Sequence, residues 1–126
     1  MASILRVDTL TDASSNNSVP MATVASGSAK AWINFNGTGT IAIKDSFNVT
    51  GITDDGTGQL TFTIANNMAN VNYGFTSTTQ VTDCGGLNEA GTTATTTGTA
   101  EHQGRNSSGT NTDSNPVTIV IVGDLA

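Results

Sequence analysis

The sequence predicts an all-β chain: an antiparallel, jelly-roll-like β-sandwich with an extended N-terminal arm. Three observations carry that expectation. Thr, Asn, Ser and Gly make up roughly half of the 126 residues, far above their average usage. They are poor helix formers, and Thr favours the pleated, half-buried surface of a strand. Apolar residues recur with period two between Gly- and Asn-containing turn signals, the pattern of short antiparallel strands. Finally, only 11% of residues are charged, so a helical bundle laced by ion pairs is excluded.

The chain divides into an arm, residues 1–28, and a sandwich domain, residues 29–126. In the arm, Ile4-Leu5-Arg6-Val7 reads as a short strand and residues 12–20 (DASSNNSVP) as polar turn material. A second apolar patch over residues 21–24 ends at Gly27. The arm reads as extended chain with two apolar footholds rather than as a helix. It either pairs with another chain or frays.

Residues 29–82 carry the clearest alternation. Ala31, Ile33 and Phe35 share one face of a strand, with Trp32 and Asn34 on the other. Asn36-Gly37-Thr38-Gly39 reads as a hairpin turn. Ile41, Ile43, Phe47 and Val49 then continue one parity up to Gly51. Asp54-Asp55-Gly56-Thr57-Gly58 forms the next hairpin loop, after which Leu60, Phe62 and Ile64 face inward and Thr61 and Thr63 outward. Residues 66–70 connect to a further set, Val71, Tyr73 and Phe75.

Over residues 83–115 the pattern is lost. Almost no large apolar side chain occurs there, so the segment is expected to form long polar loops, either an exposed excursion with Thr-rich strands at its base or a stretch that is partly mobile. Residues 117–122 (VTIVIV) close the chain, apolar on both parities, as expected of a strand buried on both faces.

Composition bounds the function. Ten Asp+Glu against four Lys+Arg give a net charge of -6, which excludes the clustered cations of a nucleic-acid binder. No apolar run reaches the ~18 residues of a membrane span. Residues 1–9 contain no apolar core of a signal peptide, so synthesis in a host cytoplasm is expected. The low apolar fraction, 36%, points to a core shared between identical chains.

Chemistry-bearing residues are few. Asp83-Cys84 with Glu101 and His102 offers the residue types of a Cys–His nucleophile, but a half-buried thiol and a loop imidazole explain them as well. Asp54-Asp55-Gly56 lacks the alternation of a calcium loop. The glycines of residues 37–39 and 56–58 precede neither helix nor Lys and read as turns. Sequons at Asn16, Asn36, Asn48 and Asn106 are expected by chance in a chain this rich in Asn, Ser and Thr. No catalytic residue, metal or cofactor is expected, and the chain reads as a non-enzyme. Trp32 is either a stacking platform for a sugar ring or an interface anchor, the second being favoured.

Residues 27–49 (GSAKAWINFNGTGTIAIKDSFNV) and 52–58 (ITDDGTG) resemble a segment recurring in tail fibre and other virion proteins of marine tailed bacteriophages. Residues 4–10 (ILRVDTL) and 119–126 (IVIVGDLA) are similar to the two ends of those proteins. The resemblance implies a β-rich, usually trimeric virion component and brings no catalytic residues. The expected function is therefore a short homotrimeric tail fibre contributing to host-surface attachment, with a capsid decoration or head-fibre protein as the alternative. A polysaccharide depolymerase would need paired carboxylates in a groove, and the two Glu lack a matching partner. Trp32, Phe35, Val117, Ile119 and Ile121 are the expected trimer interface. His102, Gln103 and Arg105 are the expected contacts to a host glycan or protein, unless their loop is a solvated spacer. The arm is expected to reach other virion proteins or a neighbouring subunit.

Overall fold

The computed structural model describes residues 4, 6–15, 17–79, 84–87 and 95–126. The fold is all-β and antiparallel. Ten strands and one short helix follow one another along the chain among the described residues: β1 (Thr9–Thr11), β2 (Ser18–Pro20), α1 (Met21–Gly27), β3 (Ala29–Asn36), β4 (Ala42–Phe47), β5 (Val49–Gly56), β6 (Gln59–Ile64), β7 (Gly74–Thr78), β8 (Cys84–Leu87), β9 (Thr99–Arg105) and β10 (Val117–Val122). Two four-stranded sheets, β4-β3-β10-β7 and β5-β6-β9-β8, enclose one core, while β1 and β2 form a separate hairpin. Strands β7, β8 and β9 succeed one another and β10 returns beside β7, a Greek-key winding that passes from one sheet to the other.

The core is the set of inward parities. Ala31, Ile33 and Phe35 of β3 and Val117, Ile119 and Ile121 of β10 face Leu60, Phe62 and Ile64 of β6 and Ala100 of β9. Met68 and Tyr73, from the β6–β7 connection, close one end. The Tyr73 hydroxyl lies 3.2 Å from the Thr96 carbonyl and 3.3 Å from that of Thr99, and burial pushes its pKa up to about 12. Rings span the layers: Phe62 stacks on Phe75 with centroids 6.4 Å apart.

Several expectations are corrected here. Phe35, Val117, Ile119 and Ile121 are not an intersubunit surface, because the opposite sheet of the same chain buries them completely. Strand β10 is central, but only one of its parities is buried; Thr118 and Val120 are half-exposed and Val122 exposed. The run from Ile41 to Val49 is not one strand. It breaks at Asn48, whose φ of 57° turns the chain from the first sheet into the second. The Asn48 amide saturates that corner: Nδ2 donates to the carbonyls of Lys30 (2.8 Å) and Asn66 (3.1 Å), and Oδ1 accepts from the Asn66 N–H (2.7 Å). A bulge opposite Asn34 and Phe35 also shifts the parity of β4, so that Phe47 pairs with Trp32 on the outside instead of joining Ile43.

The polar stretch 83–115 contains structure that the sequence reading missed. Strand β9 is a central strand of the second sheet, paired with β6 through Gln59↔Gln103 to Thr63↔Thr99. Segment 112–114 then ties the hairpins of the two sheets together. The Gly37 N–H donates to the Ser114 carbonyl (3.0 Å), and the Gly58 N–H to Asp113 Oδ1 (2.6 Å). Glycine is required at both hairpins: a Cβ on Gly58, whose φ is +68°, would lie 2.5 Å from the Gly104 carbonyl oxygen, and one on Gly37 2.9 Å from that of Ser114.

The arm is also more ordered than expected. It holds a hairpin and a helix, Pro20 ending the second strand and opening α1. Ile4, Arg6 and Val7 are not in a strand; Leu5 and Asn16 lie outside the described residues.

Candidate binding surface

No helix among the described residues is long and apolar enough to cross a membrane. The groups singled out for chemistry are dispersed by the fold. His102 points into the core from β9, 2% exposed, with its ring edge-on to Phe35 (centroids 6.0 Å, 78°) and Nδ1 3.3 Å from Ser77 Oγ. Burial holds its pKa down at about 4, so it is a neutral core histidine at pH 7. The expectation that His102 touches a host surface is thereby overturned: strand alternation turns it inward, between Leu60 and Phe35. Gln103 and Arg105 share the opposite parity and stay accessible. Arg105 Nε donates to Gln103 Oε1 at 3.0 Å, giving the outside of the second sheet a paired polar spot.

Glu101, also on the outward parity, is 1% exposed and stands in register with Thr61. Thr61 Oγ1 in turn donates to Asp55 Oδ2 (2.6 Å), and Asp54 Oδ1 accepts from the Gly56 N–H (3.0 Å). The carboxylates of Asp54 and Asp55 therefore both serve the β5–β6 hairpin. Cys84 belongs to β8, in register with Arg105; its side chain and Asp83 lie outside the described residues. Among the described residues, no three His, Cys, Asp or Glu side chains are grouped to hold a metal.

The outside of the first sheet offers a different surface. Register places Phe47, Trp32, Val120 and Thr76 in one row across β4, β3, β10 and β7. Phe47 is 53% exposed, Trp32 and Val120 are half-buried, and Val122 extends the apolar strip along β10. Beside the row, Asn34 Nδ2 donates to Thr118 Oγ1 (2.7 Å), with Asp45 next to Asn34 on β4. The surface is an aromatic and aliphatic centre with a hydroxyl, amide and carboxylate margin. Contiguous exposed apolar surface of this kind is the candidate for a contact site in this chain. Trp32 was identifiable from sequence by its parity. Phe47 was not, because the bulge that turns it outward leaves no signal in the apolar pattern.

No known family, no curated protein and no solved structure matches this chain.

Proposed function

We propose that the protein is a bacteriophage virion structural component, a short homotrimeric tail fibre that contributes to attachment at the host surface. The observation that carries this reading is the outward-facing row of Phe47, Trp32 and Val120. The chain closes its core within one copy and still leaves aromatic surface uncovered, as a subunit of an assembly does. The residues 27–49 and 52–58 that resemble tail fibre proteins build strands β3, β4 and β5, which hold Trp32 and Phe47, and Val120 lies in the C-terminal resembling stretch, 119–126. The Greek-key winding supplies one of the two keys of a jelly roll, the architecture expected of such a subunit.

In this reading Trp32 remains an interface residue, joined by Phe47 and Val120, while Phe35, Val117, Ile119 and Ile121 become the support beneath it. The host-facing surface is the polar outside of the second sheet, with Gln103 and Arg105 but not His102. A capsid decoration protein is the second reading. It is favoured by an arm whose apolar side chains Ile4, Val7, Leu10 and Val19 are all exposed, since a shell-bound protein needs one docking element.

Imaging of virions with the labelled protein separates the two. Label at the tail tip supports the fibre, label over the head supports decoration, and label on neither removes the virion assignment. Light scattering at micromolar concentration tests the trimer independently of location.

A further inference from the structure

We propose that the N-terminal hairpin of one copy docks on the outside of the β4-β3-β10-β7 sheet of a second copy, with Leu10 and Val19 covering Trp32, Phe47 and Val120. The inference rests on the self-association part of the proposed function and gives it a specific contact.

The donor element is built but unpartnered. Leu10 and Val19 stand directly opposite each other across the β1–β2 hairpin, 46% and 42% exposed. The turn is well specified: Asn17 Nδ2 donates to Asp12 Oδ2 (2.7 Å), Thr11 Oγ1 to the Asn17 carbonyl (3.0 Å), and the Ser15 N–H to the Asp12 carbonyl (3.1 Å). Yet every residue of both strands is exposed, and α1 buries none of its own. Neither a two-stranded hairpin nor a seven-residue helix is stable alone in water. Their order requires a surface to lie on.

That surface is present on each copy. The Phe47–Trp32–Val120 row spans two strand spacings, about 10 Å. The Leu10–Val19 pair, one strand spacing wide with its side chains, has the size to cover it. The arm is tied to the body through the C-terminal end of α1. Lys30 Nζ donates to the carbonyls of Ala25 and Ser28, and Ser26 Oγ to Asp124 Oδ1 (3.3 Å), which anchors the C-terminal end of α1. The hairpin is attached at the opposite end of that helix, through Pro20.

Two facts favour a second copy over a foreign partner. Donor and acceptor occur once each in every chain, so identical copies that each give one arm and receive one close into a ring without unsatisfied surface. A ring also gives every chain two such contacts, doubling the surface that a single arm on a single face covers.

The test uses the full chain and its only tryptophan, Trp32, as reporter. Sedimentation and acrylamide quenching are followed over a concentration series for the wild type, an arm variant (Leu10→Asp with Val19→Asp) and a face variant (Phe47→Lys). The wild type is expected to associate with Trp32 shielded. Each variant alone is expected to be monomeric with Trp32 accessible, its dissociation constant raised by about tenfold or more for each 1.4 kcal/mol lost. The two variants mixed are expected to form one-to-one pairs, more weakly than the wild type associates, because one retains the face and the other the arm. Leu10→Ser and Phe47→Ser supply the same readout if a charged variant loses cooperative unfolding. An arm variant that stays oligomeric with Trp32 shielded overturns the proposal while leaving self-association intact. A wild type that is monomeric throughout overturns both, as does protection of Trp32 by a soluble oligosaccharide in that monomer.

Discussion

The sheet β4-β3-β10-β7 presents carbon on both sides, whereas β5-β6-β9-β8 is polar outside and carries a histidine inside. Inward, the first sheet contributes mainly aliphatic and aromatic side chains, Ala31, Ile33, Phe35, Val117, Ile119 and Ile121, with Ser77 of β7 meeting the His102 ring. Outward it shows Trp32, Phe47 and Val120. The second sheet mixes Leu60, Phe62 and Ile64 with His102 inside, and shows Thr53, Thr63, Gln103 and Arg105 outside. A contiguous aromatic and aliphatic outside is unusual for a monomer in water, while a Thr- and Gln-covered outside is a surface that remains wet. In the proposed function the two faces are given different neighbours: the first another protein surface, the second solvent and whatever is displayed in it.

The largest effect tests whether the first sheet's inner face is core or interface. Phe35→Ala removes a fully buried ring that also supports His102. It is expected to lower the unfolding free energy by about 3–5 kcal/mol, read from urea denaturation. The loss should be the same at every protein concentration. A loss that shrinks as concentration rises would return Phe35 to a subunit junction.

Next in size is the titration that only the second sheet's inner face carries. Folded, His102 stays neutral until about pH 4, whereas in the unfolded chain it takes a proton near its ordinary 6.5. Its contribution is complete above pH 6.5 and is lost as pH falls toward 4, because protons then bind the unfolded chain preferentially. The 2.5-unit difference corresponds to about 3 kcal/mol at most. Unfolding free energies at pH 7 and pH 4.5 for wild type and His102→Leu measure it as the difference between the two slopes. Equal slopes would mean that the imidazole is solvated in the folded chain.

The same contrast explains what was legible in the sequence. Strands β3, β6 and β10 could be read because their inward residues are large: Ile33 and Phe35, Leu60 and Phe62, Ile119 and Ile121. Strand β9 could not, because its inward positions are Ala100, His102 and Gly104. A closely packed core sets small side chains among large ones, so a strand facing Phe35 and lying beside Leu60 has little apolar volume of its own. The exchange of sheets at Asn48 and the bulge in β4 were hidden for another reason. Both are single-residue changes of backbone direction, and both leave the alternation of apolar residues superficially intact. Half of the candidate surface was thus readable, namely Trp32 by parity, and the other half required the bulge.

A smaller effect probes the clasp joining the two sheets. Gly37 lies under Ser114, and a methyl group at that position would sit 2.9 Å from a backbone oxygen and 3.4 Å from Phe35 Cε2. Gly37→Ala is expected to cost about 1–3 kcal/mol through overpacking, seen as a lowered thermal midpoint. No change would show that segment 112–114 moves freely and does not couple the sheets.

The smallest expected effect on stability bears most directly on the contrast between the two outsides. Gln103 and Arg105 are held together by one 3.0 Å hydrogen bond on the solvent side of β9, and Arg105 is exposed. Their double replacement by Ala removes an outward-facing polar pair, half-buried at Gln103 and exposed at Arg105, and leaves the inward parity of β9 untouched. Surface changes of this kind stay within about ±0.5 kcal/mol, so unfolding and oligomeric state should both be unchanged. Arginine and glutamine together nevertheless present directional donors suited to hydroxyls and carboxylates on a neighbouring surface. If the second sheet is the face turned outward from the assembly, phage carrying the double variant should adsorb to host cells more slowly while their particles assemble normally. Normal adsorption would reduce that face to a solvated surface. Failed assembly would show that the polar side, and not the Trp32 side, is the one turned toward protein.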